Sequence, residues 1–326
     1  MNPYWGKDIW GFIGLFFSRL VQWGKEPLAS DEIQVLVLVA IGIASTFVGI
    51  FLVLKKITMM ANALSHTILL GIILSYLLLR PFIGASTFFF HPGVLLLASL
   101  ITAWMTVTLV QLCQKVFRLQ EDASVGLVFT FLFALGVLLV SLYSHHLHLG
   151  VEAIMGNMDA LHVDDVKFAF GVLFGNLFMM VFLFPRYKLL AFDPTFMGAI
   201  QGNTSLFSYL LLLQTALTAV GAFRAIGVFL FLIFLTAPIL SAKVFTKKLK
   251  SLMAVACGIS VLCGFLSVAL SRHILSVYDI ALSTAGLTCV VTALSYPVSL
   301  SLWKMRIFLL KSLQRSKTFE EKQGAS

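Results

Sequence analysis

The chain has 326 residues, of which 60% are hydrophobic and only 11% charged, and its mean hydropathy is +0.99. Such a composition excludes a soluble globular domain and places the chain among polytopic membrane proteins. The net charge of +9 does not point to nucleic acid, because the basic residues lie in short loops between apolar runs instead of clustering on one soluble face.

The first apolar stretch, Ile9 to Trp23, carries Trp10, Phe12, Phe16, Phe17 and an interrupting Arg19. That pattern suits an amphipathic helix in the membrane interface better than the alternative, a short extra span, and the absence of a small-residue cleavage site argues against a signal peptide. The first span runs from Ile33 to Leu54, about the length that a hydrocarbon core demands, and ends at Lys55 and Lys56. The second, about Ala63 to Leu79, belongs to the run K-K-I-T-M-M-A-N-A-L-S-H-T-I-L-L-G from Lys55 to Gly71. There Asn62, Ser65 and His66 stand three and four residues apart, so on a helix they share one face. An ionisable side chain at membrane depth is expensive unless it faces protein or water, which makes His66 a candidate for lining a path. The alternative is a neutral packing histidine, with Asn62 bonding a neighbouring helix.

An aromatic loop, Phe88 to His91, precedes the third span, about Gly93 to Phe117, which leaves the membrane at Lys115 and Arg118. Glu121, Asp122 and Ser124 then stand where caps favour the positive end of a helix dipole, ahead of a fourth span from Val125 to Tyr143. The following loop holds His145, His146 and His148, with Glu152, Asp159, His162, Asp164 and Asp165 downstream. Imidazoles with carboxylates nearby can capture a borderline metal, although this spacing matches no closed site and a solvated polar loop is the competing reading. The fifth span, about Phe168 to Phe184, contains Gly171 and Gly175 in a register that allows close helix packing.

After Arg186 and Lys188 comes A-F-D-P-T-F-M-G-A-I-Q-G-N. Asp193 can cap, Pro194 suits the first helical position and Gly202-Asn203 can stop the helix, which predicts two turns presenting Phe196, Met197 and Ile200 as an apolar face. A rigid short helix of this kind fits a partner's groove. The sixth span is about Leu206 to Phe223, with a tight turn at Arg224. The seventh, about Ala225 to Phe245, holds Pro238, which removes a helical hydrogen bond and predicts a kink near Thr236. The eighth and ninth, about Leu252 to Leu270 and Ile280 to Trp303, precede a basic, then polar tail expected to be disordered from about Arg315. The fold class is therefore an all-α, polytopic transmembrane bundle of about nine spans, with an interfacial segment over 1–32, a membrane domain over 33–303 and a tail over 304–326.

If the loops after the first, third, fifth and seventh spans and the C-terminal tail share one side, they carry 16 of the 23 Lys and Arg residues. The positive-inside asymmetry then puts the C-terminus and the Asp193 helix in the cytoplasm and the histidine loop outside. The four cysteines lie inside apolar runs without C-x-x-C spacing, as small buried hydrophobes do. No P-loop, H-E-x-x-H or G-x-S-x-G sequence is present, and no carboxylate falls in mid-span, so nothing supports an enzyme or a proton-driven carrier.

The run A-N-A-L-S-H-T-I-L-L-G resembles the signature G-D-A-L-S-H-A-x-L-P-G of the membrane permeases of ABC-type zinc, manganese and iron importers. His66 matches the signature histidine, whereas Asn62, Ala61 and Leu70 stand at its aspartate, glycine and proline positions. Further similarity lies at Glu121-Asp122 with Phe133-Ala134-Leu135-Gly136, at Ile154 to Met158, at F-D-P-T-F-M-G from Phe192, and at Ala225-Ile226-Gly227 with Pro238. The resemblance implies an importer-type permease in the bacterial inner membrane that carries a divalent metal as substrate and binds no cofactor itself. Its implied partners are an ATPase that uses ATP and seats on the Asp193 helix, a periplasmic or lipoprotein metal-binding protein, a second permease subunit forming a homo- or heterodimer, and membrane lipid. Competing readings are a permease for iron chelates or cobalamin, or a gradient-driven metal carrier.

Overall fold

The computed structural model describes residues 3–21, 27–79, 92–143, 158–200 and 203–323, and every regular element among them is helical. In chain order these are α1 (Ile9–Val21), α2 (Ser30–Lys55), α3 (Thr58–Leu79), α4 (Pro92–Val116), α5 (Glu121–Tyr143), a 3-10 turn (Met158–Ala160), α6 (Val163–Phe192), α7 (Pro194–Ala199), α8 (Thr204–Ile226), α9 (Val228–Phe245), α10 (Leu249–Tyr278) and α11 (Thr284–Gln323). Seven of the described helices, α2, α5, α6 and α8 to α11, are long and apolar enough to cross a membrane. With α3 and α4, of 22 and 25 residues, each of the nine expected spans has its helix. By contrast α1 has 13 residues, about 20 Å of helix, and is too short to cross. It lies against α10, where Phe12 and Phe16 meet the Phe265 ring edge-on at 5.9 and 5.2 Å.

At the centre stands α2, enclosed by α6, α8, α9 and α10. Because lipid tails are as apolar as the side chains, close backbone approach must supply the packing that the hydrophobic effect supplies in water. Two glycines seven residues apart on one face of α2 provide it. A Cβ on Gly42 would lie 2.5 Å from Ser260 Oγ of α10, and one on Gly49 would strike the Leu235 carbonyl of α9 and lie 2.9 Å from Ile239 Cδ1. Between them the Thr46 hydroxyl donates to Gly42 O at 2.7 Å and lies 3.5 Å from Phe234 O. That carbonyl is the one Pro238 leaves without its helical donor.

The N-terminal end of α2 holds a buried ionic cluster. Asp31, 1% exposed, pairs with Arg272 of α10. Glu32 accepts from Arg19 Nε at 2.6 Å, from the Tyr4 hydroxyl at 2.7 Å and from Ala29 N at 2.8 Å. Burial, and then the carboxylate beside it, push the Tyr4 hydroxyl well above its ordinary pKa. The cluster therefore ties α1 and α10 to the central helix.

Two expectations about boundaries are corrected. The turn predicted at Arg224 lies at Gly227, whose φ of +83° is the left-handed region open to glycine, and whose N–H reaches the Phe223 carbonyl at 3.1 Å. The tail expected to be disordered from Arg315 is helical, because α11 continues to Gln323. Its Leu, Lys, Arg, Gln and Glu residues are good helix formers, and no glycine follows Gly286 until Gly324.

Candidate functional site

The helix α3 starts abruptly. Lys56 adopts a left-handed conformation with φ of 62°, and Ile57 N donates to Leu52 O at 3.0 Å, so α2 closes and α3 begins within two residues. With a rise of about 1.5 Å per residue, Asn62 and His66 lie roughly 6 and 12 Å along α3 from Thr58. Ser65 lies one residue before His66 on the same helix. Asn62 is half-buried; the side chains of Ser65 and His66 lie outside the described residues. Around them α3 packs on α4, α5 and α8. Thr67 and Thr106 of α4 hydrogen-bond at 3.3 Å, and Gly136 lets α5 approach the backbone of Leu70, where a Cβ would lie 3.1 Å from Leu70 N.

His145, His146 and His148 lie outside the described residues, and among the described ones no group of three or more His, Cys, Asp and Glu could hold a metal. Glu152 also lies outside the described residues, and the described carboxylates downstream make structural contacts. Asp165 Oδ2 accepts the His162 N–H at 2.9 Å at the start of α6, Asp164 pairs with Lys167 at 2.9 Å, and Asp159 faces Gln34 at 3.5 Å. Ser124 also differs from its expected capping role: its hydroxyl donates back to the Gln120 carbonyl at 2.9 Å.

A polar cluster that the sequence reading passed over joins α6 to α8. Gln214 Nε2 donates to Asn176 Oδ1 at 3.0 Å and to its carbonyl at 3.3 Å, and the Thr218 hydroxyl donates to Asn176 Oδ1 at 3.0 Å. Asn176 and Gln214 are both buried. Close by, Gly221 admits Val172, whose Cγ2 would lie 2.6 Å from an added Cβ. The close contact predicted at Gly171 and Gly175 is not made among the described residues, where neither has a neighbour within 4 Å of an added Cβ. Two carboxamides in mid-span were the available signal.

These contacts clamp a hairpin whose tip is α7. Asp193 caps it as expected, its carboxylate accepting from the Thr195 hydroxyl at 2.6 Å and from Phe196 N at 2.9 Å. Those two bonds hold the carboxyl below the usual carboxylate range. Since the shift is downward, the cap is fully present at neutral pH and is lost only as pH falls below about 4. Pro194 occupies the first position. Phe196 and Ile200 are 52% and 55% exposed, but Met197 is completely buried, so the predicted three-residue face is a two-residue face anchored by Met197. The helix ends at Ala199, short of the expected stop, and Asn203 instead caps α8 by accepting from Leu206 N at 3.1 Å. Gly202 lies outside the described residues. At the same end, Lys55 donates to Ser208 at 3.0 Å, which joins the α2 terminus to the start of α8.

Residues 32–302 match the family model described as the ABC 3 transport family. The chain belongs to that family. It is 35% identical over 316 residues, 96% of each chain, to a "probable metal transport system membrane protein" of Chlamydia pneumoniae. It is 33% identical to a zinc transport system membrane protein of Treponema pallidum over 63% of this chain and 57% of that one. It is 30% identical to a manganese transport system membrane protein of Bacillus subtilis over 70% of this chain and 79% of that one. Among solved structures it resembles PsaBC from Streptococcus pneumoniae, in complex with Fab, with a TM-score of 0.67 and 20% identity over 88% of this chain and 95% of that one. That likeness concerns the fold. The chain is a multi-pass membrane protein and a metal ABC permease.

Proposed function

We propose that this permease is the membrane-spanning subunit of an ATP-driven importer that moves a divalent metal cation, zinc, manganese or iron, into a bacterial cytoplasm by alternating access. The observation that carries the reading is α7, a capped six-residue helix at the tip of a hairpin clamped in mid-span, with Phe196 and Ile200 exposed. A helix that short cannot span anything, and two outward apolar side chains on a rigid tip suit a groove in an ATPase. Binding and hydrolysis of ATP by that partner would move α7 together with α6 and α8. Names given to relatives, for zinc in one and manganese in another, support a divalent cation as substrate and leave its identity to experiment.

In this reading the ends of α2, α4 and α6, with Lys55, Lys115 and Lys188, face the cytoplasm, as does the C-terminus. A metal-binding protein delivers the ion at the opposite end, near the histidine loop. His66 contributes an imidazole to the path, a ligand suited to zinc and other borderline metals. Asn62 supplies a neutral amide where the signature has a carboxylate, which favours pairing with a second, different permease that keeps the aspartate. The decisive test is radiotracer uptake of zinc, manganese and iron in cells expressing the whole gene cluster. His66→Ala should abolish uptake of one metal at equal membrane abundance and intact assembly, and an ATPase-inactive partner should abolish it too. Unchanged uptake in His66→Ala would remove the histidine from the path; uptake without ATP hydrolysis would replace the importer with a gradient-driven carrier. For the paired-subunit idea, Asn62→Asp should preserve uptake, and its complete loss would count against it.

A further inference from the structure

Beside α7, at the end of the bundle where α2 and α4 terminate and α8 begins, lies a cleft of about 280 Å³. Its polar lining is Lys55, Gln111, Gln114, Lys115, Thr204, Ser205 and Ser208. Apolar side chains complete it, among them Met60, Val107 and Leu212. The lining includes two ammonium groups, two carboxamides and three hydroxyls, and no carboxylate among the described residues. The first turn of α8, Thr204 and Ser205, contributes to the same wall, and there the helix dipole is positive. Donors of this kind around two cations select a phosphate-type anion.

We propose that this cleft is a binding site for the phosphate group of an anionic phospholipid headgroup. The apolar half of the lining favours a lipid over a free ion: a headgroup that enters from the bilayer keeps glycerol and upper acyl carbons against Met60, Val107 and Leu212, while its phosphate meets the lysines. The cleft lies where the basic helix ends leave the hydrocarbon, the level at which headgroups sit. Lys55 is already oriented, its ammonium donating to Ser208 Oγ at 3.0 Å, whereas Lys115 is exposed and available to close over the ligand. Pro194, the first residue of α7, forms part of the wall. A bound headgroup therefore props α7, and the lipid becomes a modulator of how that helix is presented. The proposal rests on the membrane-spanning architecture and does not require the transport reading.

The test is native mass spectrometry of the purified full-length chain incubated in turn with phosphatidylglycerol and phosphatidylcholine. Wild type should retain phosphatidylglycerol preferentially. Lys115→Gln should lower that retention about fivefold and the Lys55→Gln/Lys115→Gln pair roughly 25-fold, following the worth of a lysine near an anionic surface. Lys55→Arg, which keeps the charge, should restore most of the loss seen in Lys55→Gln and so separates binding from misfolding. Lys188→Gln, at an exposed lysine that is not part of the cleft lining, should change nothing. Equal retention of the two lipids, or undiminished retention in the double variant, overturns the site. Displacement of the lipid by excess inorganic phosphate supports the phosphate chemistry but overturns the lipid as its source.

Discussion

The clamp between α6 and α8 gives the sharpest test of how the hairpin carrying α7 is held. Asn176→Leu keeps the volume but removes the carboxamide oxygen that accepts from Gln214 and Thr218, each at 3.0 Å. Interhelical hydrogen bonds in membranes average about 0.6 kcal/mol and reach about 1.7 kcal/mol. The donors left behind are partly satisfied, because Gln214 still lies 3.3 Å from the Asn176 carbonyl and Thr218 still donates to Gln214 O at 2.7 Å. The orphan penalty thus falls near the bottom of its usual range of about 1–3 kcal/mol. A loss of about 2 kcal/mol is expected. Gln214→Leu should cost less, about 1 kcal/mol, since it also removes Gln214 Oε1, a buried acceptor with no partner among the described residues. The double variant should cost less than the sum by at least 0.5 kcal/mol. Unfolding of the purified chain in sodium dodecyl sulfate, followed by tryptophan fluorescence, measures all three. Additivity within about 0.3 kcal/mol, or a larger loss for Gln214→Leu than for Asn176→Leu, would refute the clamp.

Three further outcomes follow from the packing. Gly49→Ala should destabilise the chain by about 1–3 kcal/mol in the same unfolding titration, because the added methyl meets the Leu235 carbonyl, whereas Gly258→Ala, with open space around it, should be neutral or mildly stabilising. Phe196→Ala and Ile200→Ala should weaken co-purification with an ATPase subunit while leaving thermal stability unchanged, and Met197→Ala should lower stability instead, since its side chain is buried in its own chain. Arg272→Ala removes the guanidinium that pairs with the buried Asp31 carboxylate and should cost about 3–5 kcal/mol. Replacing the pair by Met and Leu should recover most of that loss.

The sequence was legible wherever one physical effect dominated. Apolar runs of membrane length located the spans, and Asp193-Pro194 announced α7 because capping and proline geometry are local. The misread boundaries are places where the signal was shared. Leu206 to Phe245 is almost uninterrupted apolar sequence, so the turn was placed at its charged residue, Arg224; the chain turns at Gly227, where a left-handed backbone is free of strain. The tail looked disordered because it is polar, yet polarity leaves helix propensity intact. Met197 was assigned outward with Phe196 and Ile200, since a six-residue helix has too few residues to show which side faces its own bundle.

What the sequence by itself determined is the class of molecule: the spans, the basic asymmetry of the loops and the capped short helix. Those depend on residues within a turn or two of one another. Tertiary structure alone decided which glycines matter, Gly42, Gly49, Gly136 and Gly221 and not Gly171 or Gly175. It also decided that Asn176 meets Gln214, that Asp31 finds Arg272, and that Lys55 and Lys115 line one cleft. Each of these depends on contacts between distant helices, and in a medium as apolar as the side chains, hydrophobicity can say that a helix is inserted but not which face meets which neighbour.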